Sequence, residues 1–184
     1  MANVFLWAIA GILSFIVLYI VLTFNSLIML RNRVENALSQ IDVQLKRRYD
    51  LIPNLVSSVK GYMKHEKGVL TEITKMRSSL ISGSLSQKSK ASDAISNALK
   101  TIFAVSENYP KLQASENFKM LQEELSGTES KIAFSRQFYN DNIMVLNNKV
   151  QQFPSNIIAN VLNFKEREFF KTAESEKGPV KVEF

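Results

Sequence analysis

Few side chains in this chain have the types and spacing that chemistry requires. Cysteine is absent and His65 is the only histidine among 184 residues, so neither a thiolate nucleophile nor a histidine-rich metal site can be built. His65 lies in the turn-like stretch Lys64-His65-Glu66-Lys67-Gly68, where a lone imidazole reads as a surface residue. Glu123, Glu124 and Glu129 fall close together on a helical stretch, spaced like ligands of carboxylate-bridged bundles. Those sites pair Glu with a histidine three residues on, and none is available. No glycine-rich phosphate loop, nucleophile elbow or paired-histidine motif occurs. The expectation is a protein that is not an enzyme, with no metal and no cofactor.

Two polar sets remain. Asn32, Asn36, Gln40 and Gln44 recur every four residues beside an apolar seam, and Arg48, Tyr49 and Asp50 follow them. Further on, Glu129, Arg136 and Asn140 share one helical flank. One reading is a polar network that fixes helix register and satisfies half-buried groups. The other is a surface that recognises a second copy or a partner. Either way, the groups must be positioned by helices.

The first of those helices is a membrane span. Val4 to Phe24 is an uncharged run of 21 residues, VFLWAIAGILSFIVLYIVLTF, and ~20 residues of helix cross a hydrocarbon core. Ser14 and Thr23 can return their hydroxyls to the backbone. Trp7 and Tyr19 sit near its two ends, as interfacial rings do. A cleaved signal peptide would need a basic start and a small-residue cleavage site, and neither is present. No basic residue precedes the span, whereas Arg31, Arg33, Lys46, Arg47 and Arg48 follow it. The basic flank stays cytoplasmic, so the expected topology is single-pass, N-terminus out and C-terminal domain in the cytosol.

No Gly or Pro separates the span from the seam Leu27, Leu30, Val34, Ala37/Leu38, Ile41 and Leu45, which continues through Ile52, Leu55, Val59 and Tyr62. Steps of three and four predict one helix running out of the membrane. Pro53 interrupts it, and a kink near Tyr49–Pro53 is favoured over a hairpin because KRRYD offers no room to reverse. A second pattern holds Leu70, Ile73, Met76 or Arg77 and Leu80. The seven serines between Ser78 and Ser92 predict the one extended loop. A third pattern runs Ala91, Ile95, Ala98, Ile102, Val105 and Tyr109 to Pro110. The last starts after Ser115 and holds a three-four repeat from Phe118 through Ile132 and Tyr139 to Phe153, with Pro154 ending it. Ser155–Phe164 predicts a short apolar helix, and the end through GPVKVEF an irregular segment or short edge strand.

The fold class is therefore all-α: a transmembrane helix continuous with an up-and-down four-helix bundle. The expected domains are an anchor over 1–26, a cytosolic bundle over 27–154 and a C-terminal tail over 155–184. Charge is uneven: residues 25–90 hold 12 Lys/Arg against 5 Asp/Glu, and residues 91–184 hold 11 against 12. Nucleic acid is not an expected partner, since no arginine-rich run or aromatic platform accompanies the charge. Anionic lipid, a complementary copy of the chain, or simple solvation remain.

Leu30–Glu66 (LRNRVENALSQIDVQLKRRYDLIPNLVSSVKGYMKHE) resembles the LemA family. So do FAVSENYPKL, SENFKMLQEELSGTESKIAFSRQFYND and FPSNIIA further along. The resemblance implies a bacterial single-pass membrane protein with a cytosolic four-helix bundle, and it brings little chemistry, since no enzymatic activity is established for the family. A magnetosome protein is similar too, which points toward membrane organisation. Arg48, Tyr49, Asp50, Glu129, Arg136 and Asn140 fall within the matched motifs. Ser78–Ser92 and the tail after Phe164 match none.

Two functions are weighed. One is a membrane-anchored scaffold that self-assembles, with Ile157, Ile158, Val161, Leu162 and Phe164 as an adhesive surface. The other is an adaptor presenting its bundle to a membrane protease or signalling protein. A fusion or tethering role would need seams left open for an intermolecular coiled coil, and these look consumed internally.

Overall fold

The structure is a computed structural model that describes residues 1–62 and 67–171, and among these residues there are helices and no strand. His65, expected at the surface, and the last thirteen residues, 172–184, expected to be irregular or a short edge strand, lie outside the described residues. The helices are α1 Ala2–Lys60, α2 Lys67–Arg77, α3 Ser79–Ser82, α4 Leu85–Ser106, α5 Pro110–Gln113, α6 Glu116–Gln151 and α7 Ser155–Val161. They sort into two compact units. One holds Met1–Leu38 with Phe138–Phe169, and the other holds Ser39–Gln137 with the described residues after Phe169.

In the first unit the apolar run behaves as a chain segment without a protein partner. Phe5, Trp7, Ile12 and Phe15 are all strongly exposed. The helix is long and apolar enough to cross a membrane by length and composition. Burial begins at Thr23 and Leu27, then takes Leu30, Val34 and Ala37 at the spacing of the seam. From α6 this unit buries Tyr139, Ile143, Leu146 and Val150. Phe153, expected to close the α6 seam, is 80% exposed, because the helix ends two residues before it.

α7 ends in a cap that re-aims the chain. Asn163 has φ 57°, its N–H donates to the Asn160 carbonyl at 3.1 Å and the Phe164 N–H donates to the Ala159 carbonyl at 2.8 Å. This is the paired capping pattern that needs a left-handed residue, and asparagine tolerates that conformation. It brings Phe164 under Arg31 of α1, whose guanidinium lies 6.0 Å from the ring centroid.

In the second unit the seams close on one another. Ile41, Leu45, Ile52, Leu55 and Val59 from α1 are buried, as are Leu70, Ile73 and Leu80. Ile95, Leu99 and Ile102 of α4 and Phe118, Leu125 and Ile132 of α6 complete the set. Phe103 of α4 meets Phe118 of α6 edge-on, 6.4 Å between centroids.

α1 does not reverse at Pro53; the proline lies inside one unbroken helix. Its ring has no N–H for the Tyr49 carbonyl four residues back. Arg77 of α2 takes that place, its Nε donating to the Tyr49 carbonyl at 2.8 Å, with the guanidinium 3.6 Å from the centroid of the Tyr49 ring. A defect in one helix becomes a joint to the next.

The loop expected over Ser78–Ser92 is a correction. That stretch is α3 and the start of α4, broken only at Gly83-Ser84. Ser84 begins α4 with a reciprocal cap: its Oγ accepts from the Gln87 N–H at 3.4 Å, and Gln87 Oε1 accepts from the Ser84 N–H at 2.8 Å. A Cβ on Gly83 would meet the Ser79 carbonyl oxygen at 2.7 Å and the Gln87 Cβ at 2.9 Å, so glycine is required by close approach. Serine is a poor signal for a loop when one serine caps a helix and Ser89 and Ser92 are buried in it.

Candidate functional site

The second unit encloses a layer of charge. Arg48 on α1 is completely buried, and its guanidinium pairs with Glu129 on α6. The same group donates to the Ser92 carbonyl at 3.0 Å and to Ser92 Oγ at 3.2 Å on α4. Ser96 Oγ, in the same helix, reaches Glu129 Oε1 at 2.5 Å. One guanidinium thus ties three helices together, using the planar fork of donors that lysine lacks. Burial holds the Arg48 pKa below the ordinary value of a guanidinium, opposed chiefly by the charge of Glu129 and its hydrogen bond. Arg136 adds a second unfavourable charge and Asp93 a second favourable one.

Arg136 on α6 is the other buried cation of this layer. It pairs with Asp93 of α4 at 2.8 Å and donates to the Lys171 carbonyl at 2.8 Å. Ser89 Oγ donates to the same carbonyl at 2.5 Å. The guanidinium also lies 4.8 Å from the centroid of the Phe170 ring, which is buried. Two arginines face two carboxylates, so the layer is neutral as a whole and specific in register.

The first unit holds the chain after α7 by a parallel device. Asn147 of α6 donates through Nδ2 to the Arg167 carbonyl at 3.0 Å and accepts through Oδ1 from the Arg167 N–H at 2.9 Å. One side-chain amide thereby supplies both bonds that a neighbouring strand would give. Tyr139 donates its hydroxyl to the Glu168 carbonyl at 3.2 Å. Burial raises the Tyr139 pKa above 10.0, with Arg167 pulling it down and Glu168 adding to the rise.

The residues singled out from sequence are placed as follows. Arg48 and Glu129 meet, and Arg136 stands in the same layer. Tyr49 packs under Arg77, while Asp50 makes an exposed pair with Lys46 at 2.5 Å. Asn32, Asn36 and Gln40 are exposed on α1, and Asn140 is half-buried on α6. Glu124 pairs with Arg47 and Glu129 with Arg48, so the carboxylates that resembled a ligand set are claimed separately. Among the described residues no three His, Cys, Asp or Glu come together to share a metal. Of the tail residues, Ile157, Val161 and Leu162 are exposed, and Ile158 and Phe164 are half-buried.

Sequence reasoning missed Arg77, Asp93, Asn147 and Phe170. Only Arg77 left a trace, in the carbonyl that Pro53 must orphan. Arg48 is enclosed, and the four charges of the layer are matched in pairs, with Glu129 reaching the surface. The capacity of the layer is to set register and hold backbone.

Comparison with known proteins then places the chain. The sequence model of the LemA family matches residues 37–184. Protein LemA of Metamycoplasma hominis is 30% identical over 161 residues, spanning 85% of this chain and 72% of that protein. Magnetosome protein MamQ 2 of Paramagnetospirillum magneticum is 22% identical over 188 residues, spanning 88% of this chain and 69% of that protein. Magnetosome protein MamQ of Magnetospirillum gryphiswaldense is 20% identical over the same length.

Proposed function

The chain belongs to the LemA family, and from that premise we propose that it is a membrane-anchored, non-enzymatic scaffold of the bacterial inner membrane. In this reading Val4–Phe24 spans the bilayer with the N-terminus outside. The helices that follow form an up-and-down four-helix bundle in the cytosol, and copies associate through it. Similarity to the magnetosome proteins supports a part in organising membrane.

One observation carries the reading. The chain exposes an uninterrupted apolar helix at one end, yet commits its buried ionisable groups to holding helices together. Water solvates the first poorly, and the second supports a structural part for those groups. Exposed Ile157, Val161 and Leu162 then supply a surface that a neighbouring copy would cover. A common membrane plane raises the effective concentration of copies and restricts their orientations.

The test has two readouts. Resistance to extraction by alkaline carbonate is expected, together with cytosolic activity of a reporter fused after Phe184. Extraction by carbonate, or an external signal from that reporter, overturns the anchor and its orientation.

A further inference from the structure

A cavity of about 600 Å³ opens in the first unit where the apolar run ends. α1 contributes Phe24, Ile28 and Arg31 to its wall. Positions spaced by four and then three lie on one helix face, so over two turns, ~10 Å, that face passes from aromatic to aliphatic to cationic. The opposite wall repeats the order. Leu162 and the Phe164 ring supply apolar surface, and Lys165 and Arg167 supply charge.

The capped end of α7 builds that second wall. Left-handed Asn163 turns the chain so that Phe164 lies beneath Arg31, and the clamp of Asn147 on both backbone groups of Arg167 fixes the residues beyond. Three cations line the cavity against a single carboxylate, Glu166. An apolar floor contiguous with an exposed apolar helix, under a rim with an excess of two positive charges, has the polarity of a phospholipid at its headgroup.

We infer that the cavity lined by Phe24, Ile28, Arg31, Leu162, Lys165 and Arg167 binds one anionic phospholipid, its phosphate on the three cations and its glycerol and upper acyl carbons on the apolar floor. The inference rests on the membrane reading above and adds a site and a ligand class to it. About 1 kcal/mol per cation near an anionic surface becomes, for an excess of two, on the order of thirtyfold preference for anionic over zwitterionic lipid. Loss of one cation reduces it about fivefold.

The full chain in mild detergent is titrated with phosphatidylglycerol, phosphatidylcholine and glycerol 3-phosphate, and bound ligand is counted by native mass spectrometry. One phosphatidylglycerol per chain is expected in preference to phosphatidylcholine, with glycerol 3-phosphate binding far more weakly. Arg31→Gln and Lys165→Gln should each lower that preference several-fold, and Arg33→Gln, two residues on, turned to the other side of α1 and outside the lining, should not. Leu162→Ser should weaken the lipid and leave glycerol 3-phosphate unchanged. Equal binding of the two lipids, or an Arg33→Gln effect as large as that of Arg31→Gln, overturns the site in favour of diffuse surface attraction. Glycerol 3-phosphate binding as tightly as the lipid overturns the lipid assignment in favour of a soluble anion. Carbonate extraction reports on the anchor separately, so failure of the membrane reading and failure of the site are told apart.

Discussion

A single guanidinium shows how this protein uses charge. Arg48 would be costly to bury alone, and Glu129, Ser92 and Ser96 are what make it tolerable. Arg48→Ala should destabilise the fold by about 1.5–3 kcal/mol through the loss of its charge-assisted bonds to Glu129 and Ser92, measured as a shift in denaturant midpoint. A loss as small as that of the exposed Lys46–Asp50 pair, roughly 0–1 kcal/mol, would remove Arg48 from its central place. Tyr139 gives a pH signature. Its pKa is raised in the fold by burial, so folding favours the neutral phenol. That contribution is complete below the ordinary tyrosine value and is lost as pH rises through the raised one. Tyr139 should contribute a late step to an ultraviolet titration, above the ordinary tyrosine value, and Tyr139→Phe should remove it. If the late step survives the substitution, the burial assigned to Tyr139 is wrong.

At the scale of elements, joints decide more than propensities. Pro53 orphans a carbonyl in α1 and Arg77 answers it from α2. Arg77→Ala should therefore cost about 1.5–3 kcal/mol, as for a bond from a charged donor. In a Pro53→Ala background it should cost less, since the restored N–H competes for the same carbonyl. Additive effects in that double-mutant cycle would contradict the joint. Gly83→Ala should destabilise by about 1–3 kcal/mol through the contact with the Ser79 carbonyl. Ile132→Ala in the seam should cost about 2–5 kcal/mol, while Phe153→Ala, at an exposed site, should change the melting temperature little. These joints also mark where sequence was legible. Apolar spacing disclosed the seams of α1 and α6, since burial leaves a period in the side chains. The serines of α3 and α4 hid a helix, because a serine that caps, one that is buried and one in a loop share the same letter. Asn147, Ser89 and Arg136 grip backbone, and backbone has no sequence to read.

Across the whole molecule, the distribution of charge and apolar surface sets the expectation. Residues 25–90 are strongly basic and residues 91–184 nearly balanced, so neighbouring copies can set unlike regions against one another. The chain after α7 is not a free appendage, because Phe170 is buried and Lys171 is held by Ser89 and Arg136. Deleting the tail would therefore damage the fold, and substitutions at exposed Ile157 and Val161 are the cleaner probe of self-association. The most direct test of the scaffold is the mass of the full chain in mild detergent, read by light scattering across a range of salt concentrations. The expected result is a particle of many copies that shrinks when Ile157 and Val161 are both replaced by Asp with helicity unchanged. A protein that runs as a clean monomer at every salt concentration would contradict the scaffold and favour an adaptor that presents its helices to a different partner.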